Sequence, residues 1–294
     1  MSGRRVSTGS LDPGVVLVAL SMLLIGTTGT SQALGPDGID PTVVGLLRLG
    51  IGGPVLLGFA AATGRLSTSM PRGPLAVAAV SIAAYQPCFF GGIDRTGVAV
   101  GTIVALGSSP VFAGVLGLVV RGERPGRRWA MATVLAIAGG ALLVGGGGSA
   151  EVDPTGIVLA LGAGLSYAVF AVATRGLLDH HPPPGVMAVS LTGAAVLLLP
   201  TLAIGDTAWL ATGGGIAVSL HLGLVATALA YGLYGFGAAR LPVATTTTVT
   251  LTEPLTAAVL GMLVLGERLT AISSTGAILL AGGLVVIATG RRSS

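Results

Sequence analysis

Residues 110–124 read PVFAGVLGLVVRGER and residues 254–268 read PLTAAVLGMLVLGER. Laid over one another at an offset of 144 residues, they match Pro110 to Pro254, Gly117 to Gly261 and Gly122-Glu123-Arg124 to Gly266-Glu267-Arg268, and Gly139 falls on Gly283. An offset of 146 places Ala84-Tyr85 on Ala230-Tyr231, and one of 142 places Gly14 on Gly156 and Leu17 on Leu159. A drift of a few residues is what insertions in the loops between helices produce. The chain is one unit written twice, and each copy contains about five apolar stretches long enough to cross a bilayer. An odd number obliges the second copy to enter the membrane from the side opposite to the first.

Composition supports the same class independently. Charged residues are 9% of the 294-residue chain, against about 25% in an ordinary soluble domain. Hydrophobic residues reach 52% and the mean hydropathy is +0.91, so too few polar side chains remain to clothe a soluble globule. Ten spans of ~20 residues consume roughly 200 residues and leave no room for a soluble domain. The expected fold is an all-α integral membrane protein, ten helices arranged as two inverted five-helix repeats over residues 10–148 and 152–292.

The ten spans are read at 14–33, 41–62, 73–92, 97–120, 128–144, 155–177, 185–204, 214–237, 242–265 and 271–289. The stretch from Gly145 to Ala150 has a flexible linker composition and joins the repeats. Arg4, Arg5 and the apolar run that follows could imitate a cleavable signal. Asp153-Pro154 echoes Asp12-Pro13, however, so the segment reads as a retained first span of the repeated unit.

Loop charge sets the orientation. With both termini cytoplasmic, the inner side collects twelve arginines (Arg4, Arg5, Arg65, Arg72, Arg121, Arg124, Arg127, Arg128, Arg175, Arg240, Arg291 and Arg292) and the outer side only Arg95 and Arg268. Asp37, Asp40, Asp94, Glu151, Asp153, Asp206 and Glu267 show the reverse bias. Arginine near span ends stays on the cytoplasmic side, which fits an inner (cytoplasmic) bacterial membrane with this topology. The formal net charge of +4 therefore belongs to span ends, not to a nucleic-acid-binding face.

Several chemistries are excluded. All fifteen basic residues are arginine, so neither a Walker A phosphate loop nor a Schiff-base lysine can exist. The lone Cys88 permits no internal disulfide. There is no His-Glu-x-x-His, no Gly-x-Ser-x-Gly and no aspartate-rich pair, so nothing points to a metal, a cofactor or a catalytic set. An integral membrane enzyme and a structural subunit remain distant readings. Inverted repeats are a construction of secondary transporters, with the substrate held near mid-membrane between the halves.

Candidate residues follow from position. Pro110 and Pro254 lie mid-span at equivalent repeat positions, where proline removes a helix hydrogen bond. They read as a symmetric hinge pair, with Ser108, Ser109 and the threonines of 245–252 available to satisfy the freed carbonyls. Glu253 is the one carboxylate placed deep in the membrane. It is either a functional group or a structural one satisfied by threonines or Arg48. Thr246, Thr250 and Glu253 share one helix face, with Thr245, Thr248 and Thr252 beside it. Arg48 lies about 10 Å below the outer edge of the second span, and Glu253 about 14 Å below it, on a 1.5 Å rise. That makes Arg48 a structural charge, paired or snorkelling.

The amphipathic candidates for cradling a solute are Tyr85, Gln86 and Phe89 on the third span, Ser109 on the fourth, Ser166, Tyr167 and Phe170 on the sixth, and His221, Tyr231 and Tyr234 on the eighth. Thr248, Thr252 and Glu253 on the ninth join them. Aromatic stacking and hydroxyl contacts suit an amphipathic ligand, and the competing reading is packing or an interfacial belt. His180 and His181 read as solvated loop residues. Gly97 and Gly101 form a GxxxG pair, and Gly232, Gly235 and Gly237 a small-residue cluster, both suited to close helix approach.

Taken in order, Ala230-Tyr231, Leu241-Pro242-Val243-Ala244, Glu253-Pro254, Gly266-Glu267-Arg268-Leu269 and the glycines Gly276, Gly282 and Gly283 resemble the C-terminal EamA domain of the drug/metabolite transporter superfamily. Arg48, Tyr85, Pro110 and Gly122-Glu123-Arg124 resemble its N-terminal counterpart, so the likeness covers nearly the whole chain. It implies ten helices, a central cavity lined by spans one, three, four, six, eight and nine, and export of small metabolites, with amino-acid exporters most similar. Small multidrug members carry a coupling glutamate in their first helix, and this chain has no carboxylate within its first or sixth span. Sugar-phosphate members rely on basic cavity residues, and this chain has one membrane arginine. The expected function is secondary export of neutral amphipathic metabolites, above all amino acids including aromatic ones. The alternatives are a proton-coupled antiporter and a channel-like facilitator. The expected partners are a small-molecule substrate and the lipid bilayer.

Overall fold

The computed structural model of the chain describes residues 11–145, 153–266 and 268–289. Arg4, Arg5, most of the glycine linker, Glu151, Glu267, Arg291 and Arg292, all used in the sequence reading, lie outside them. Among the described residues there are ten helices long and apolar enough to span a bilayer. They are Pro13–Ala33, Pro41–Ala62, Arg72–Gly97, Val100–Arg121, Arg127–Gly145, Pro154–Leu178, Pro183–Ala203, Gly213–Ala238, Val243–Val264 and Ala271–Ala288. Each matches a sequence-derived span to within a few residues.

Three spans start at an Asp-Pro pair, and the reason is local. Asp12, Asp40 and Asp153 accept from the amides of Gly14, Thr42 and Thr155 at 2.7, 2.7 and 2.8 Å. Each of these caps contributes ~1 kcal/mol. Proline at the first helical position lacks only an amide that would have had no helix partner.

The repeat is visible in the packing. Gly92 of the third span lies on the sixth, where an added Cβ would come within 3.0 Å of the Ala160 nitrogen and 3.2 Å of the Gly156 carbonyl. Gly237 of the eighth span lies on the first in the same way, 3.0 Å from the Val18 nitrogen and 2.8 Å from the Gly14 carbonyl. The second span packs on the seventh, and the fifth on the tenth. In that last pair Gly139 meets Gly276 and Leu280, while Gly283 meets their repeat equivalents Ala132 and Ala136. Exchanging the halves thus leaves these contacts unchanged. Equivalent residues also face outward together: Val119 and Leu263 are 75% and 77% exposed, and Val134 and Ile278 are 66% and 72%. Large apolar side chains so exposed on every side require lipid as the solvent.

Three departures from regular helix shape the interior. The backbone runs as helix from Arg72 to Arg121 and turns on Gly97 alone, at φ 80° and ψ 157°. This corrects the GxxxG reading: Gly97 is a turning residue with open space around its α-carbon, and only Gly101 packs, against Ile93. The positive φ explains the glycine. The eighth span is π-helical over His221–Leu229, a widened form that often marks functional segments. The ninth span is interrupted at Thr250 and Leu251, between helices Val243–Val249 and Thr252–Val264. Pro254 cannot donate to the Thr250 carbonyl, which instead accepts from the Glu253 amide at 3.0 Å.

Candidate functional site

Six of the aromatic residues singled out in the sequence form one continuous array across the third, sixth and eighth spans. Phe89 stacks on Tyr85 with ring centroids 5.2 Å apart and an interplanar angle of 14°. Tyr85 meets Tyr167 at 6.0 Å, and Tyr167 meets Phe170 at 6.1 Å. Phe170 then contacts Tyr231 edge-on at 6.2 Å and stacks near Tyr234 at 6.4 Å. Phe170, Tyr231 and Tyr234 are buried, whereas Tyr85, Phe89 and Tyr167 keep partly exposed faces. The buried three lie behind the half-buried outer three, which pack at the edge of the core. Ser166 lies beside Tyr167, half-buried. Among the described residues the Gln86 Oε1 is buried with no hydrogen-bond partner, and Gln86 packs against Gly45 of the second span.

Glu253 sits where the ninth span restarts, in the first turn of Thr252–Val264. The break thus places the carboxylate at the start of a new helix, within the membrane span. Among the described residues Glu253 forms no ion pair. Arg48 donates its Nε to the Thr227 hydroxyl of the π-helical segment at 3.4 Å. Thr227 was not among the sequence candidates, since nothing marks a threonine 179 residues away as a partner.

The threonines of the ninth span mostly bond their own backbone. Thr246 and Thr252 donate to Pro242 and Val249 carbonyls at 3.1 and 2.8 Å, and Thr250 to that of Thr247 at 2.7 Å. Thr248 turns to the fifth span, 2.8 Å from the Thr133 hydroxyl and accepting from the Trp129 indole at 3.0 Å. Ser109 donates to the Leu106 carbonyl at 3.0 Å, the acceptor that Pro110 leaves open. His221 lies 2.8 Å from the Thr27 hydroxyl. That contact joins the first and eighth spans at the end remote from Arg121, Arg175 and Arg240.

The arginine-rich end holds a cavity of about 610 Å³, bounded by the starts or ends of the first, fifth, sixth, eighth, ninth and tenth spans. None of the sequence-derived binding candidates lines it. Beside it a charged chain crosses the bundle. Glu123 accepts from the Val243 amide at 2.8 Å and from Arg121 at 2.9 Å. Arg121 reaches Asp179 at 2.7 Å, Arg175 also pairs with Asp179, and Arg175 donates to the Leu241 carbonyl at 3.0 Å. Burial pushes the Asp179 carboxyl up, but the Arg121 and Arg175 guanidiniums outweigh it and hold it below the usual carboxylate range. Only Glu123 of this network stood out in the sequence, through its repeated Gly-Glu-Arg motif.

The aromatic array, a carboxylate at a broken mid-membrane helix and a cavity at one end of an inverted bundle can be set against known proteins. The profile of the EamA-like transporter family matches residues 12–145 and again 154–289. The uncharacterized transporter YwfM of Bacillus subtilis (strain 168) is 39% identical over 94% of both chains. The threonine/homoserine exporter RhtA of Escherichia coli (strain K12) is 30% identical over 94% of this chain and 90% of its own. A probable terminal-alkyne amino-acid exporter of Streptantibioticus cattleyicolor is 28% identical over 94% of each. One crystal structure superposes with a TM-score of 0.82 at 19% identity, covering 94% of this chain and 96% of the other, a likeness of fold. With both halves matched and such relatives along nearly its full length, this multi-pass membrane protein belongs to the EamA-like transporter family.

Proposed function

We propose that this protein is a secondary transporter that exports small neutral amphipathic metabolites, above all amino acids including aromatic ones, across the bacterial inner membrane by alternating access. The observation that carries the reading is the aromatic array between the repeats, with the half-buried rings of Tyr85, Phe89 and Tyr167 at its outer side. Such rings bind apolar side chains by area and geometry without fixing one identity. Gln86, Ser109, Ser166, His221, Thr252 and Glu253 surround the path as polar contacts. Relatives named for threonine/homoserine and amino-acid export support the substrate class. The repeats over 10–148 and 152–292 act as the two moving units, and both termini lie in the cytoplasm.

Uptake of labelled amino acids into proteoliposomes, screened with and without a pH gradient, tests this. Saturable counterflow of aromatic or hydroxyl amino acids is expected, and a complete lack of amino-acid flux sinks the reading. A second reading, proton-coupled antiport, is favoured by one observation only: Glu253 has no ion-pair partner among the described residues. The pH-gradient arm of the same screen separates the two.

A further inference from the structure

The cavity at the arginine-rich end has a charge balance that its lining alone does not reveal. Four arginines (Arg124, Arg128, Arg175 and Arg240) and two carboxylates (Asp12 and Glu123) border it. Arg175 and Glu123 belong to the chain Glu123–Arg121–Asp179–Arg175, two cations against two anions, and that chain is neutral as a whole. Both Glu123 oxygens are occupied, by Arg121 and by the Val243 amide.

What remains is three arginines against Asp12. Arg128 donates to the Val286 carbonyl at 2.8 Å and to the Thr289 hydroxyl at 2.9 Å, and Arg240 donates to the Phe236 carbonyl. These acceptors are neutral and carry no compensating charge. Among the described residues, Arg124, Arg128 and Arg240 enter no ion pair. The rest of the lining includes Val15, Leu241, Ile287 and the Trp129 ring. A volume of about 610 Å³ falls within the ~300–1,000 Å³ typical of small-molecule sites.

From this we infer that the cavity is a recruitment vestibule for carboxylate-bearing amphipathic solutes, the guanidiniums taking the carboxylate and the Trp129 side the apolar part. The inference rests on the export reading and deepens it, since it names the group by which a cytoplasmic substrate is first held. Guanidinium forks match carboxylates in geometry as well as charge. A cleft of one sign also raises the local concentration and encounter rate of opposite charge, more strongly at low salt. Cationic amines without a carboxylate are repelled at the same entrance. An anionic lipid headgroup carries the same chemistry, so the source must be separated by experiment.

The test uses the full chain in phosphatidylcholine nanodiscs, with tryptophan fluorescence as reporter. Trp129 lines the vestibule, and the only other tryptophan, Trp209, is buried at the remote end. Iodide probes the positive potential, acrylamide is the neutral control, and benzoate against benzamide competes for the site. Arg124→Gln with Arg240→Gln should lower iodide quenching about twofold or more and weaken benzoate competition about fivefold, with acrylamide unchanged. Equal iodide quenching in parent and double variant overturns the vestibule, whatever the transport activity. Replacing the lipid by phosphatidylglycerol distinguishes the sources: benzoate competition that persists supports a solute site, and competition abolished there assigns the site to lipid and overturns it. In counterflow, the double variant should raise KM for phenylalanine severalfold at unchanged kcat and lower it for phenylalaninamide, which the guanidiniums repel. A full quenching contrast with no counterflow of any amino acid overturns the export reading and leaves the anion site standing.

Discussion

The carboxylate of Glu123 holds the backbone amide of Val243 at 2.8 Å across 120 residues of chain. The turn that closes the fourth span is thereby fastened to the first residue of the ninth. Its other oxygen meets Arg121 at 2.9 Å, so one side chain serves an amide and a cation at once. Glu123→Ala strands both partners and should lower stability by about 1–3 kcal/mol. Glu123→Gln keeps an acceptor for the amide and should lose less. Thermal denaturation in detergent, compared for the two variants, reads the difference, and equal losses would assign the whole effect to the Arg121 pair.

The prolines are expected to be unequal hinges. Helix runs unbroken through Pro110, where Ser109 satisfies the Leu106 carbonyl, but it is interrupted four and three residues before Pro254. Pro254→Ala should therefore lower turnover more than Pro110→Ala, each with little change in KM and with normal insertion. Hinges are commonly a few positions that absorb the dihedral change. A double variant transporting at the parental rate would show both to be static bends.

Coupling is expected to come from the substrate gradient, because no carboxylate occupies the first or sixth span within the membrane. Glu253→Gln should preserve counterflow. Concentrative uptake driven by a pH gradient, lost selectively in Glu253→Gln, would instead make Glu253 the proton carrier.

Close crossings give a stability prediction with an internal control. A Cβ at Gly139 would collide with the backbone of Leu280 and Gly276, whereas one at Gly282 meets nothing within 4 Å. Gly139→Ala should cost about 1–3 kcal/mol by overpacking. Gly282→Ala should be neutral or stabilise by about 0.5–1 kcal/mol through helix propensity. Unfolding in mixed micelles compares the pair.

Orientation follows from the arginine bias. Reporter fusions after Arg128 and Arg292 should score cytoplasmic, and one after Glu151 periplasmic. A periplasmic C-terminus would dismantle the inverted topology.

The spans were readable in the sequence because hydropathy over ~20 residues is a strong local signal in a chain with so few charges. The aromatic array was readable in part: Tyr85 and Tyr231 matched across the repeat, and one-turn spacing aligned Tyr85 with Phe89. That Phe170, Tyr231 and Tyr234 form the buried backing depends on which helix lies behind them, which spacing does not encode. Gly97 was misassigned because a glycine just after Asp94-Arg95-Thr96 suits a helix start and a turn equally, and only its positive φ tells them apart. The Arg121–Asp179 contact joins residues 58 apart in separate helices, and charges near span ends look alike until the bundle is assembled. Thr248 shows the same limit: helical periodicity places it on a stripe without saying that Trp129 and Thr133 lie opposite.

The turn at Gly97 has a mechanical meaning. With Gly101 seated on Ile93, the third and fourth spans meet without slack, so a tilt of one is delivered to the other as torque instead of being absorbed by a loose tether. Tyr85 rides on the first arm of this crank and Pro110 on the second. On the export reading proposed above, a solute that wedges against the Tyr85 ring would lever the fourth span about Pro110, making occupancy of the aromatic shelf and the angle of the helix beside it one degree of freedom.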